Sequence, residues 1–264
     1  MSDSSLTPRP QTLSEAVLAK TVWACEYEIN SLLINTQGRL GLYALLNLLQ
    51  DVGWSHAHTL GHGHEDTAGR KAMWVLTRQR VQMSEWPLWG NRLKIETWLR
   101  PTTGAFVSRD FRVYVGEKMI GEATSSFLLL NNETRKPMRE DLSKLGFPMR
   151  SENHVSFDAE KVQPVSDVKT LTKFEVRNSD IDMNNHVNNT RYAQWVLDAI
   201  PFASHAKFLL KQYEINFIAE TKSGDVVHIQ EAPSSSGTVF FQGLRESDSK
   251  VAFTVRMHIE DTAT

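Results

Sequence analysis

An eight-residue segment, 182–189, holds the side chains best suited to chemistry in this sequence. It places a carboxylate, an amide and an imidazole at every second position, as Asp182, Asn184 and His186. Side chains alternate along an extended segment, so these three are expected on one side, with Met183 on the other and free to pack. An acceptor, a hydrogen-bond donor and a proton carrier in one place are what hydrolysis of an activated carbonyl requires.

The same composition is also typical of a turn that caps a helix. Asn and Asp are preferred N-cap residues, and an amphipathic helix is predicted from about Thr190 to Ile200, so Asn188 or Asn189 is the expected N-cap. The helix N-terminus would add positive potential beside the segment. Spacing alone leaves catalysis and capping both open, and the surrounding elements must decide between them.

The first half of the chain predicts a strand, a turn, a helix and four further strands. Alternating apolar residues predict a strand over Trp23–Ile29, residues 35–39 form a turn, and apolar residues at three-and-four spacing predict a helix from about Leu42 to Leu60. The four further strands are predicted near Met73–Met83, Arg92–Arg100, Ala105–Val115 and Lys118–Leu130.

The second half repeats this order. A strand near Leu171–Arg177 leads to the polar segment and to the helix near Thr190–Ile200. Four strands are again predicted, near Phe208–Ala219, Asp225–Glu231, Thr238–Glu246 and Lys250–Glu260.

This repeated order is that of a hotdog domain, an antiparallel sheet wrapped around one long helix. We therefore predict an α+β double hotdog, with two tandem antiparallel sheets each wrapped around a long helix. The predicted boundaries are a lead-in at 1–18, an N-terminal hotdog at 19–145, a linker at 146–168 and a C-terminal hotdog at 169–264. A five-stranded sheet cannot bury its concave face without the helix, so the unit is physically sensible.

The two halves differ in chemistry. Where the second half carries Asp182, Asn184 and His186, the first carries Gln37 and Arg39. Only the second segment is polar enough for catalysis, so the first half is expected to serve as a scaffold or as the wall of an apolar pocket.

Composition limits the remaining function classes. The formal charge of −2 argues against a dedicated nucleic-acid binder, and no apolar run approaches the ~20 residues that a membrane span needs. Residues 1–10 lack the basic-then-apolar pattern of a signal peptide, and no clear transit peptide is expected. The single cysteine, Cys25, excludes an intramolecular disulfide and fits a reducing, cytoplasmic location.

Three stretches of the sequence carry a family resemblance. The first is 45–57, the second joins 73–90 to Arg109-Asp110-Phe111, and the third is 182–189 with Tyr192 and Trp195. Together they span about residues 20 to 260, and they resemble the acyl-ACP thioesterases, a family of plant plastid enzymes with bacterial relatives. The resemblance implies a double hotdog that hydrolyses fatty acyl-[acyl carrier protein], releasing free fatty acid and holo-ACP in fatty acid biosynthesis.

The resemblance also implies a catalytic set. The family's catalytic Asp, Asn and His fall on Asp182, Asn184 and His186, and its downstream acidic residue falls on Glu220. The sequence departs from the plant enzymes at the next position, where Thr221 replaces a cysteine.

The departure at position 221 limits the mechanism. Because Cys25 is the only thiol and belongs to a strand of the other half, a cysteine–histidine nucleophile pair is not available. Water or a carboxylate must attack.

Several roles remain open for the catalytic set. Asp182 or Glu220 could be the general base on water, and direct attack by Asp182 to form an anhydride is a further route. The Asn184 amide and a backbone N–H of the following helix could hold the oxyanion, and His186 could polarise the carbonyl or protonate the leaving sulfur.

Substrate contacts are predicted for three other residues. His56 and Trp74 are expected to line the acyl cavity, and Thr221 to lie against the substrate. His56, His58, His62 and His64 lie close to Glu65 and Asp66 in sequence, but no metal is expected. Gly61 and Gly63 break the helix there, and no cysteine or well-placed third ligand follows. No cofactor is expected either.

The expected partner is acyl carrier protein bearing a fatty acyl chain, without nucleic acid or a membrane span, and with a homodimer possible. Acyl carrier protein is acidic, so part of the cationic set in the first half could steer it, while most of that set is expected to be a solvated face. The set comprises Arg78, Arg80, Arg100, Arg109, Arg112, Arg135, Lys136 and Arg139.

Three other functions compete with this prediction. An acyl-CoA thioesterase would have the same fold, a hotdog hydratase would leave the thioester whole, and a non-catalytic acyl-binding module would use the polar segment only as a turn. Acyl chain length cannot be read from the sequence, because a few cavity residues decide it.

Overall fold

The computed structural model describes residues 21–63, 71–101, 104–138, 147–205 and 207–261, and its elements follow the predicted order twice. In the N-terminal half they are β1 (Val22–Glu28), α1 (Leu42–Thr59), β2 (Ala72–Met83), β3 (Arg92–Leu99), β4 (Phe106–Val115) and β5 (Lys118–Asn131). In the C-terminal half they are β6 (Lys169–Glu175), α2 (Asn189–Ala199), the short α3 (Phe202–His205), β7 (Phe208–Phe217), β8 (Val226–Ser235), β9 (Thr238–Arg245) and β10 (Val251–Asp261).

The strands form one antiparallel sheet of ten strands, in the order β1-β3-β4-β5-β2-β7-β10-β9-β8-β6. Each half supplies five consecutive strands, and β2 pairs with β7 at the centre, from Arg78 opposite Asn216 to Gln82 opposite Gln212. The double hotdog is confirmed, and its two predicted sheets are joined edge to edge into one.

Both long helices pack on the same face of this sheet. The apolar stripe of α1 includes Leu45, Leu49 and Val52, and that of α2 includes Trp195 and Val196; all are buried. They belong to one hydrophobic core that runs through both halves. The three-and-four spacing of these residues explains why each segment is helical, since only a helix turns them all to the sheet.

The segment between the halves is fastened to the other face of the sheet. Its backbone N–H groups donate to strand side chains, from Val155 to Asp110 Oδ2 at 3.0 Å and from Val162 to Asn216 Oδ1 at 2.8 Å. A further N–H, of Val165, donates to Gln242 Oε1 at 3.1 Å. These buried acceptors alternate with core residues along their strands, which explains polar side chains inside an otherwise apolar sheet.

The prediction that most cations of the first half form a solvated face is wrong, because among the described members of the set only Arg135 and Lys136 are exposed. Arg100 lies under the segment between the halves, and its Nε is 2.7 Å from Oδ2 of the fully buried Asp110. Arg109 faces the helices instead and is only 6% exposed. Arg139 lies outside the described residues.

None of the helices in the described part of the chain is long and apolar enough to cross a lipid bilayer.

Candidate active site

The polar segment before α2 is a tight turn, and the prediction of an extended segment is wrong. A bridge between Ile181 and Val187 closes the turn, and the Asp182 N–H donates to the His186 carbonyl at 2.8 Å. Asn185 adopts a left-handed backbone with φ 59°, which Asn tolerates better than most residues. Met183, expected to pack, is 63% exposed because the turn points it outward.

The Asp182 carboxylate holds this turn together. Its Oδ1 accepts from the backbone N–H of Asn184 at 2.8 Å and of His186 at 3.4 Å. The Asx-turn therefore fixes where the amide and the imidazole project. The N-cap of α2 is Asn188, whose Oδ1 accepts from the Thr190 N–H at 3.0 Å, so one of the two predicted caps is confirmed.

A cavity of about 670 Å³ connects this turn to the concave face of the N-terminal half. The predicted residues Asp182, Asn184, His186, Glu220, Thr221 and Trp74 all line it. The rest of the lining is largely apolar and comes from α1, β2, β4 and β5, including Leu46, Leu49, Leu76, Val107, Phe111 and Phe127. Residues far apart in sequence thus meet at one end of an apolar chamber that belongs to the other half.

Glu220 faces His186 at the mouth of this cavity. The Glu220 Oε1 lies 3.9 Å from His186 Nε2, within ion-pair range but too far for a direct hydrogen bond. A single water molecule in contact with both groups would fit this separation. The two side chains come from α2's preceding turn and from the loop after β7.

Arg135 of the N-terminal half completes this cluster. Its Nη2 donates to Glu220 Oε1, and its Nη1 lies 2.7 Å from the Met73 sulfur. The turn that presents it is held by Asn131 Oδ1, which accepts from the Thr134 N–H at 2.8 Å. The sequence placed Arg135 only in a general cationic set, because no local pattern shows that the two halves meet at this point.

Thr221 is buried beside the cluster. Its Oγ1 and the Tyr192 hydroxyl lie 2.7 Å apart and share a hydrogen bond. Burial raises the pKa of the Tyr192 hydroxyl above its usual value, so the tyrosine stays neutral. Arg245 donates to the Glu220 carbonyl, which fixes the backbone from which Glu220 and Thr221 project.

His56 does not reach the cavity, in contrast to the expectation that it lines it. Within the described part of the chain, the residues that line the cavity include Arg109 and not His56. Arg109 Nη1 lies 3.0 Å from His56 Nδ1. Arg109 Nη1 also donates to Thr97 Oγ1 at 3.3 Å. Burial lowers the pKa of the Arg109 guanidinium to about 10, and His56 serves as its support.

At the histidine-rich end of α1, aromatic rings pack against one another. His62 stacks on Phe147 with ring centroids 3.7 Å apart, and Trp74 meets the same ring edge-on. Over the described ranges no three His, Cys, Asp or Glu side chains are grouped to hold a metal ion. His64, Glu65 and Asp66 lie outside the described residues.

Family models match nearly the whole described chain. The model for the acyl-ACP thioesterase N-terminal domain matches residues 20–142, and the model for the acyl-ACP thioesterase C-terminal domain matches residues 164–261.

Curated relatives include plant chloroplast proteins. The chloroplastic oleoyl-acyl carrier protein thioesterase of Coriandrum sativum is 28% identical over 212 residues, which is 72% of this chain and 56% of the relative. The chloroplastic palmitoyl-acyl carrier protein thioesterase of Gossypium hirsutum is 26% identical over 247 residues, which is 87% of this chain and 59% of the relative. The chain thus spans a little over half the length of these relatives.

Solved structures share the fold. An acyl-ACP thioesterase from Bacteroides thetaiotaomicron superposes with a TM-score of 0.84 at 24% identity, covering 92% of this chain and 99% of the other. The 12:0-ACP thioesterase from Umbellularia californica superposes with a TM-score of 0.82 at 20% identity, covering 91% of this chain and 98% of the other.

Proposed function

Because this chain belongs to the acyl-ACP thioesterase family, we propose that it is a thioester hydrolase that releases fatty acids from acyl carrier protein. The observation that carries this proposal is the His186–Glu220 pair at the mouth of an apolar cavity of about 670 Å³. Such a cavity fits an alkyl chain, and a carboxylate with an imidazole at its mouth fits the hydrolysis of the group to which the chain is attached.

The nucleophile in this proposal is a water molecule. It is held between His186 Nε2 and Glu220 Oε1, which are 3.9 Å apart, and attacks the thioester carbonyl carbon as one of them takes its proton. The imidazole then delivers a proton to the departing sulfur of the carrier. A cysteine nucleophile has no part in it, because the sole cysteine, Cys25, lies on β1. The Thr221 hydroxyl is not the nucleophile either, since it is hydrogen-bonded to Tyr192.

The oxyanion is assigned to the turn and the helix start. Asn184 lines the cavity, and Asp182 orients its backbone so that the amide can donate to the carbonyl oxygen. The Thr190 N–H is already taken by the Asn188 side chain, so the helix would contribute the N–H of Asn189, which also lines the cavity. Each such donor is worth roughly 3–4 kcal/mol of barrier in known hydrolases.

Asp182 has a structural duty and a free oxygen. Its Oδ1 is committed to two backbone N–H groups, and the described part of the chain offers Oδ2 no hydrogen-bond donor. We assign Oδ2 to the reaction, as a charge that assists proton removal from the water. This keeps the carboxylate in the catalytic set together with Asn184, His186 and Glu220.

Arg135 is assigned a positioning role. By pairing with Glu220 it holds Oε1 toward His186. It also makes the N-terminal half a contributor to the reaction, in addition to forming the walls of the cavity.

The proposed partner is acyl carrier protein, the proposed compartment is the cytoplasm, and a homodimer is kept as a proposal. The exposed Arg135 at the cavity mouth and the exposed Lys136 next to it in sequence support an acidic carrier, by complementary charge. Trp74 and Thr221, which line the cavity, are proposed to contact the acyl thioester, and His56 to act only through Arg109.

The test is thiol release from acyl-ACPs of eight to eighteen carbons, beside matched acyl-CoAs, with the His186→Ala variant as the blank. Release from acyl-ACP that the variant abolishes is the expected result. A higher kcat/KM on the CoA esters would mean that the substrate is an acyl-CoA and that acyl carrier protein is not the carrier. No release from either, with fatty acid still bound, would make the protein an acyl-binding module.

A further inference from the structure

Three buried polar side chains form a row across the concave face of the N-terminal half. Arg109 on β4 is opposite Ser125 on β5, and Ser125 is opposite Gln79 on β2. All three are buried and all three line the cavity. We call these three residues the polar row.

The polar row is internally bonded but carries an uncompensated charge. Gln79 Nε2 donates to Ser125 Oγ at 3.1 Å, and Arg109 donates to Thr97 and contacts His56. Burial is what lowers the pKa of Arg109, and no carboxylate of the described residues pairs with it. A buried cation without a counter-ion is costly, so its place in the wall of a substrate cavity calls for a reason.

The neighbouring rows show where the cavity ends. One step toward the catalytic end, Leu76, Phe127 and Val107 form an apolar row in which every member lines the cavity. One step beyond the polar row, the members are Val81, Ala123 and Phe111, and within the described part of the chain only Phe111 lines it. The cavity therefore narrows just past the polar row.

Helix α1 approaches the same row closely. Gly53 lines the cavity, and a Cβ built on it would lie 3.4 Å from Arg109 Cδ. Roof and floor are thus in near contact at Arg109.

The equivalent row of the C-terminal half is uncharged and lies outside the cavity. Gln79 and Tyr213 are equivalent positions, because each precedes one member of the Arg80–Glu214 pair at the centre of the β2–β7 ladder. Tyr213 continues through Met257 to Val239, and this row lines no part of the large cavity within the described residues. Among the described residues at this level, a charged group occurs only in the half that holds the cavity, and the other half carries only the Tyr213 hydroxyl.

We propose that the polar row Gln79–Ser125–Arg109 is the far wall of the acyl channel and sets the longest chain that binds well. A methylene laid over the row would cover a guanidinium, an amide and a hydroxyl without offering a hydrogen bond, whereas a methylene over Leu76, Phe127 and Val107 buries apolar surface. The terminal methyl of the preferred chain therefore rests against the apolar row. This deepens the proposed thioesterase function, on which it rests for the identity of the ligand.

The experiment is a chain-length profile by binding and by turnover for the variant Gln79→Leu and the double variant Gln79→Leu with Ser125→Ala. Free fatty acids of eight to eighteen carbons are titrated into the protein and followed by tryptophan fluorescence, since Trp54 and Trp74 line the cavity. The preferred length should increase by about two carbons, with the affinity ratio of the longer to the original chain rising about tenfold, because each added methylene meets an apolar wall. The kcat/KM ratio on acyl-ACPs should move in parallel.

Tyr213→Phe is the matched control, since it removes a buried polar atom at the equivalent position of the other half. It should leave the profile unchanged. A folded Gln79→Leu protein, judged by its melting temperature, that keeps the wild-type profile would overturn the proposal, as would a wild-type protein that binds no fatty acid of any length. A shifted binding profile without thiol release would support the wall and count against the hydrolase function instead.

Discussion

The turns that precede the two long helices have the same backbone and different chemistry. In the first, Asn35 Oδ1 accepts from the N–H groups of Gln37 and Arg39 at 3.0 and 3.2 Å, as Asp182 Oδ1 accepts from Asn184 and His186 in the second. The Ile34–Leu40 bridge matches the Ile181–Val187 bridge. A residue with positive φ occupies the same place in both, at 70° in Gly38 and 59° in Asn185.

The surroundings of the two turns differ as much as their side chains. Gln37 Nε2 donates to the His205 carbonyl at 2.9 Å, so α3 lies against the first turn, beside a cavity of about 360 Å³. The second turn faces Glu220 and Arg135 across the larger cavity. The same turn thus begins both long helices, and a candidate site forms only where its projecting side chains face a carboxylate and a large cavity.

The largest effect is expected from removing the imidazole. His186→Ala should lower kcat by about a thousandfold or more, because general acid–base catalysis contributes on that order. Steady-state thiol release from the preferred acyl-ACP measures this kcat. Arg39→Ala, at the equivalent position of the first turn, is the matched control and should leave kcat within a factor of about two. Equal losses in both would mean that the two turns matter only for folding.

The second effect separates charge from turn geometry at position 182. Asp182→Asn should lower kcat by about a hundredfold with an unchanged melting temperature, because Asn35 shows that an amide oxygen holds the same turn. Asp182→Ala should lower both kcat and the free energy of unfolding. The loss of stability should be about 1–3 kcal/mol, since two N–H groups lose their acceptor.

Activity and thermal melts of these two variants decide the point. Near wild-type turnover in Asp182→Asn would leave Asp182 with the role of Asn35, that of shaping a turn.

The third effect tests whether the N-terminal half takes part in the reaction. Arg135→Met should lower kcat by about tenfold or more with a smaller change in KM, because Glu220 loses the cation that orients it. Arg135→Lys should recover part of the rate, since a charge remains. Steady-state kinetics on acyl-ACP and on a small uncharged thioester measure both constants. If Lys136→Met has the same effect, or if only KM on acyl-ACP rises, Arg135 serves carrier binding rather than Glu220.

Local sequence patterns were sufficient to predict most of the fold. The period of the apolar residues placed α1 and every strand within a few residues, because burial of one face is a local property of the sequence. The turn at 182–187 was predicted as extended for a physical reason: an Asx-turn depends on side-chain hydrogen bonds to the backbone, which alternation does not reveal.

The parts of the site that were missed depend on contacts between residues far apart in the sequence. Glu220 and Thr221 came from the family resemblance, whereas Arg135 and Arg109 became visible only when β2, β4 and the turn after β5 lay beside the cavity. His56 was assigned to the cavity wall, but Arg109 takes that place, and the sequence contains no sign of which of two neighbouring side chains reaches inward.

The smallest effect is expected at the position where the sequence departs from the plant enzymes. Thr221→Ala removes the hydrogen bond with Tyr192, an interaction worth about 1 kcal/mol of stability, and should change kcat by less than about threefold because no step uses the hydroxyl. Thermal melts and thiol release on the same preparation measure both quantities. Tyr192→Phe removes the other half of the bond and is the control: it should give a similar melting temperature and a similar rate. A loss of turnover confined to Thr221→Ala would assign the threonine hydroxyl to the reaction, and the His186–Glu220 pair would no longer account for catalysis without it.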